Sequence, residues 1–158
     1  MKATVNWNGG LNFTGVANSG FAVQMDTDTS LGGSNNGVRP MEMIALGLAG
    51  CTGMDVISIL QKKRQNITGF EVNVDAPRSQ DYPKVFTSAN LTFIVTGSDV
   101  NEDALLRAIE LSATKYCPVH AMLEQAFRIE MNYEIYEDEG SGERRLTHYG
   151  AWHELMTD

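Results

Sequence analysis

Two cysteines, Cys51 and Cys117, are the residues whose type and surroundings point most directly to chemistry. Cys51 lies in Leu48-Ala49-Gly50-Cys51-Thr52-Gly53-Met54, inside a long apolar stretch, where a cysteine can be a small hydrophobe or a nucleophile. Cys117 lies in Lys115-Tyr116-Cys117-Pro118-Val119-His120, just before a proline suited to the first position of a helix. A thiolate is stabilised at such a helix start. Two cysteines are too few for a disulfide scaffold but enough for one redox pair. Asp55 sits one helical turn beyond Cys51 on the same face, where an unpaired carboxylate opposes thiolate formation. His120, three residues after Cys117, is placed to donate a hydrogen bond or to help activate a thiol.

Other chemistries find less support. Cys51, Cys117 and His120 make three possible metal donors, but no Cys-x-x-Cys or His-x-x-x-His spacing accompanies them, so neither metal nor cofactor is expected. Gly9-Gly10 and Gly32-Gly33 do not both follow a strand and open a helix, so they read as turns rather than phosphate loops. A net charge of −8 argues against nucleic acid or an anionic membrane as partner, because polyanions are held mainly by clustered Lys and Arg. Lys62-Lys63-Arg64 reads instead as the cationic end of a helix. No uninterrupted apolar run approaches the roughly 18 residues of a membrane span, and the N-terminus lacks the apolar core of a signal peptide. A cytoplasmic protein is the expectation.

The elements that must position the cysteines follow from the hydrophobic pattern. Residues 2–7, 13–16 and 21–26 alternate between turn signals and predict an antiparallel meander, followed by a flexible loop over 30–37. Pro40 and Glu42 open a helix that runs to Lys62-Lys63-Arg64, roughly 40 Å long at about 1.5 Å per residue. It is apolar on more than one face and is expected to be mostly buried. Its small residues Ala45, Gly47, Ala49, Gly50 and Gly53 cost helix propensity and call for close packing. Strands are predicted over 70–76, 85–96 and 128–136. A second helix is capped by Asp99 or Asn101, and a third starts at Pro118. Residues 137–158 form either a further hairpin or, the preferred expectation, an extension beyond a domain of residues 1–136.

The order of these motifs resembles the OsmC/Ohr family of osmotically inducible and organic hydroperoxide resistance proteins. The matching residues are the helix beginning Pro-Met-Glu-Met-Ile-Ala-Leu-Gly-Leu-Ala-Gly-Cys, Tyr82-Pro83-Lys84-Val85-Phe86, and Tyr116-Cys117-Pro118-Val119. The resemblance spans about residues 1–136. It implies an α+β fold with antiparallel sheets packed around long central helices, in an intertwined homodimer with active sites at the subunit interface. It further implies that Cys51 attacks a small organic hydroperoxide, Cys117 resolves the product as a disulfide, and a dithiol reductant restores both thiols.

The chain departs from that family where the thiol is activated. The family uses an arginine from the N-terminal sheet, held by a glutamate just after the helix-opening proline. No arginine precedes Arg39, and Gln24 is the approximate occupant of the arginine position. Counting back from Cys51, the glutamate position falls on Met41, with Glu42 one residue later. Nine residues at about 100° each put Glu42 about 180° around a straight helix from Cys51, and Arg39 lies about 18 Å away along its axis. Gln24, Arg39, Glu42, Asp55 and His120 are therefore supporting candidates behind the two cysteines. The alternative function is a non-catalytic or redox-sensing dimer that holds a small apolar ligand, with Met25, Met41, Met43 and Met54 as candidate lining residues.

Overall fold

The computed structural model of the protein describes residues 1–153 and resolves them into two compact units, Met1–Leu46 and Gly47 onward. In the first unit, β1 (Ala3–Gly9), β2 (Asn12–Ala17) and β3 (Ala22–Met25) form the expected antiparallel meander. Gly9 and Gly10 take φ of 105° and 56° to close the first hairpin. The segment after β3 is tied down rather than loose. The buried Asp26 accepts backbone N–H bonds from Thr27 at 2.8 Å, Ser34 at 3.1 Å and Asn36 at 3.1 Å. A Cβ at Gly33 would stand 2.1 Å from the Thr27 carbonyl oxygen, so the turn closes only around glycine.

Pro40 begins α1 (Pro40–Lys62), whose later turns belong to the second unit. There Leu48, Thr52, Val56 and Leu60 recur at the four-residue spacing of one helical face, and all are buried. Gly53 lets the helix approach the strand that carries Val72, since a Cβ would stand 3.0 Å from Val72 Cγ2. Two expectations for this helix are not met within one chain. It is not mostly buried, because Leu46 is 60% and Met54 69% exposed. Gly47 and Gly50 face open space rather than a packed neighbour. One chain supplies a core for one apolar face only. By length and composition α1 also qualifies as a membrane span, a property it shares with core helices of globular proteins.

The sheet of the second unit contains β4 (Asn66–Asp75), β5 (Ser88–Ser98), β6 (Arg128–Gly140) and β7 (Glu143–Trp152), in that order. Strand β5 alternates as expected, burying Ala89, Leu91, Phe93 and Val95. The sheet is mixed rather than purely antiparallel, because β6 runs parallel to β5. The connection between them carries α2 (Glu102–Leu111) and α3 (Pro118–Leu123), and a crossover of that length returns the chain in the same direction. Asn101 caps α2 by accepting from Ala104 N–H at 2.8 Å. Leu105, Ala108 and Ile109 then share one buried core with Met131, Tyr133 and Ile135.

The preferred extension over 137–158 also needs correction. Strand β6 continues to Gly140, turns through Ser141 and Gly142 at positive φ, and returns as β7. The boundary drawn after residue 136 therefore falls inside a strand. Arg145 pairs with Glu139 at 2.7 Å, and Arg144 lies over the Tyr136 ring. Residues 154–158 of the expected extension lie outside the described residues.

Candidate functional site

The second unit brings the two cysteines together from distant parts of the chain. Cys51 is half-buried on α1, whereas Cys117 is only 2% exposed at the start of α3. Between α2 and α3 the helix widens into a π-type turn over Ser112–Tyr116, closed by the Cys117 N–H donating to Ser112 O at 2.9 Å. Such single wide turns recur at functional sites. Pro118 then holds Cys117 in an extended conformation and supplies the first residue of α3. Cys117 Sγ accepts the backbone N–H of His120 at 3.3 Å.

The cysteine pair approaches to 3.0 Å, while both thiols remain free. Asp55 shares the site: its carboxylate oxygen and the two sulfurs all lie within 4.8 Å of one another. The carboxylate accepts from Ser112 Oγ at 3.1 Å, and Ser112 is fully buried. Burial and the adjoining Cys51 sulfur push the Cys117 thiol up to about 12, against the weaker opposing effect of the His120 and Val119 N–H groups. Cys117 thus stays protonated at neutral pH. That fits a resolving sulfur better than an attacking one.

The supporting residues separate into two groups. Asp55 stands at the cysteines, and His120 reaches Cys117 through its backbone N–H, while its ring Nδ1 lies 3.4 Å from the Glu124 carboxylate. Gln24, Arg39 and Glu42 belong to the N-terminal unit. Gln24 accepts from Thr14 Oγ1 at 3.1 Å and donates to Asn12 on the face of the small sheet. Glu42 accepts the Arg39 backbone N–H at 2.9 Å and meets its guanidinium at 3.2 Å, closing the first turn of α1 as a helix cap. Asp28 and Asn35 take the rest of that guanidinium, at 3.2 and 3.0 Å.

Two residues at the site have no counterpart in the sequence reading. Ser112 orients Asp55, but a serine ending an amphipathic helix carries no distinctive local signal. Trp152 lines a cleft of about 310 Å³ beside Cys117, together with Ala113, Tyr116, His120 and Glu124. Its signal was the Gly140-Ser141-Gly142 turn, which folds the tail back onto the sheet. Of the four methionines considered for an apolar pocket, Met25 lines an open apolar cleft of about 620 Å³ in the N-terminal unit, with Val5, Leu11, Phe13 and Leu31.

The family model described as OsmC-like protein matches residues 33–132. Protein YhfA of Escherichia coli strain K12 is 43% identical over 135 residues, which cover 85% of this chain and 98% of that protein. A crystal structure of a hypothetical protein from Aquifex aeolicus VF5 is similar, with 25% identity, a TM-score of 0.76, and coverage of 87% of this chain and 97% of that one. An organic hydroperoxide resistance protein OsmC from Legionella pneumophila shares the fold at 13% identity and a TM-score of 0.60, over 85% of this chain and 94% of that one.

Proposed function

The chain belongs to the OsmC-like protein family, and from that premise we propose that it is a thiol-dependent redox protein that reduces organic hydroperoxides through Cys51 and Cys117. The observation that carries this reading is the approach of two free thiols to 3.0 Å from separate helices. The half-buried Cys51 is the reachable sulfur and takes the attacking role. Its thiolate attacks the outer peroxide oxygen, the O–O bond breaks, and the alcohol leaves after taking a proton. The resulting sulfenic acid condenses with the Cys117 thiol, releasing water and forming a disulfide. A dithiol then reduces that disulfide by exchange and is itself oxidised.

The active species is a homodimer. Exposed Leu46 and Met54 on α1, the unfilled space at Gly47 and Gly50, the exposed Val5 and Trp7 of the small sheet and Phe21 just before β3 are apolar or close-packing surface that a second copy would cover. Sedimentation across a concentration series tests the dimer. For the redox reaction, one equivalent of an alkyl hydroperoxide is added to reduced protein and free thiols are counted. Both thiols should disappear together, and Cys51→Ser should abolish hydroperoxide consumption. Unchanged consumption by that variant would refute the assignment.

The apolar cleft beside Met25 supports a second reading, a dimer of the same fold that holds a small apolar ligand. Its signature is retention of a fluorescent apolar probe that Met25→Glu weakens, without thiol-dependent turnover.

A further inference from the structure

Asp55 is an awkward neighbour for a peroxidatic thiol and a natural one for a cation. Cys51 and Asp55 project from consecutive turns of α1, and Cys117 reaches them from the start of α3, with one donor atom of each inside a 4.8 Å span. Outer hydrogen bonds already hold two of the three donors. Ser112 Oγ–H fixes the carboxylate at 3.1 Å, and the His120 N–H points at Cys117 Sγ from 3.3 Å. Metal ligands are oriented in this way. A tetrahedral zinc centre, with bonds of about 2.3 Å to sulfur, spaces two sulfurs by about 3.8 Å, so the cysteine side chains need to part by only roughly 1 Å.

Charge favours the same conclusion. Fully ionised, the two thiols and the carboxylate would place three negative charges within a 4.8 Å span. A divalent cation offsets two of the three negative charges and makes the ionised set the stable one. The sequence had offered His120 as third donor, but the side chain that folding brings beside both sulfurs is Asp55.

We propose that Cys51, Asp55 and Cys117 form a binding site for a thiophilic divalent cation of the zinc type, with a fourth position open to water or a small ligand. Two sulfurs and one carboxylate oxygen suit zinc or cadmium, whereas magnesium and calcium take all-oxygen sets. On binding, two S–H bonds are replaced by two metal–sulfur bonds, two protons pass to solvent, and no electron is transferred. A cation and a Cys51–Cys117 disulfide exclude one another, since the disulfide has no thiolate to offer. Metal occupancy therefore shields the pair from oxidation and regulates the site described above. Binding itself stands independently of hydroperoxide turnover.

Reduced, metal-free protein is titrated with Cd²⁺, whose ligation by thiolates gives an ultraviolet charge-transfer band, and Zn²⁺ is then added as competitor. The band should saturate near one equivalent, release two protons at neutral pH, fade with Zn²⁺ and ignore Mg²⁺. Asp55→Asn should keep the band but weaken binding at least about tenfold, the lower bound for disturbing even an outer partner of a metal site. Cys51→Ser should lose stoichiometric binding. Wild-type protein alkylated at its reachable thiol should lose it too, which covers any misfolding of a variant. No band at equimolar Cd²⁺, full binding by Cys51→Ser, or wild-type affinity in Asp55→Asn would each overturn the site. Hydroperoxide consumption in metal-free buffer is measured on the same preparations. Turnover without Cd²⁺ binding removes the metal site alone, and Cd²⁺ binding without turnover removes the redox reading alone.

Discussion

Two polar clusters in this chain are built on opposite electrostatic logic. Around Arg39, one guanidinium meets Asp28 and Glu42, so charges of both signs are present and paired. Around Cys51, two thiols meet the carboxylate of Asp55, and each ionisation there adds charge of one sign. The first arrangement caps a helix and shapes a loop. The second is satisfied only by a proton, a disulfide or a cation, which is the condition of a site that changes state. The pairing of charge thus separates a structural cluster from the one proposed above to carry chemistry.

The largest expected effect lies in the structural cluster's neighbour, Asp26. Its three backbone N–H bonds hold its carboxyl below the usual 3.8. The bonded carboxylate contributes fully above that ordinary value, and its contribution is lost as pH falls through the lower folded value. Asp26→Ala should lower the melting temperature by several degrees and speed hydrogen exchange at Ser34 and Asn36. Asp26→Asn should flatten the acid limb of the stability curve.

The chemical cluster should respond at the other end of the pH scale. Cys117 is raised from 9.0 to about 12, so its neutral form contributes fully below pH 9. That contribution is lost as pH climbs from 9 toward 12. Thermal melts across this window should fall more steeply for the wild type than for Cys117→Ala. Parallel curves would mean that Cys117 ionises in the folded protein as readily as in the unfolded chain.

A smaller effect is expected at Asp55. Replacing it with Asn removes the negative charge beside both thiols and keeps an acceptor for Ser112. Alkylation of the cysteine pair at neutral pH should accelerate severalfold, with no large change in melting temperature. A slower reaction would show that the carboxylate works as a proton acceptor for the thiol, which would reverse its role.

The sequence was legible where patterns were local. The alternation of β5, the opening of α1 at Pro40 and the Cys117-Pro118 junction all carried their own signals, and the structure places each element there. Pairing between distant segments was not legible in that way. Nothing local in Arg128–Gly140 distinguishes a strand parallel to β5 from an antiparallel one. The hairpin that contains β7 was ranked behind an extension because an edge strand with one wet face reads as Glu143-Arg144-Arg145, a polar tail. The exposed half of α1 was missed because apolar residues on two faces say that both are covered, not by which chain. At the site, Asp55 was legible as a neighbour of Cys51 by helical spacing. Ser112 and Trp152 became neighbours only through the crossover and the terminal hairpin.

The smallest effect expected within one chain is at Arg39, and it tests the division between the clusters most directly. The guanidinium is exposed, and its ion pairs with Asp28 and Glu42 at 3.2 Å are of the kind worth at most about 1 kcal/mol. Arg39→Gln keeps side-chain hydrogen bonding and leaves the backbone N–H bond to Glu42 in place. Stability should therefore change little, and thiol reactivity should not change at all. A large fall in thiol oxidation with an unchanged melting temperature would reveal a different arrangement. In that case Arg39, freed from nothing structural, would be acting on the thiolate of a second copy, and the cation that one chain places in its cap would belong to the chemistry of its partner.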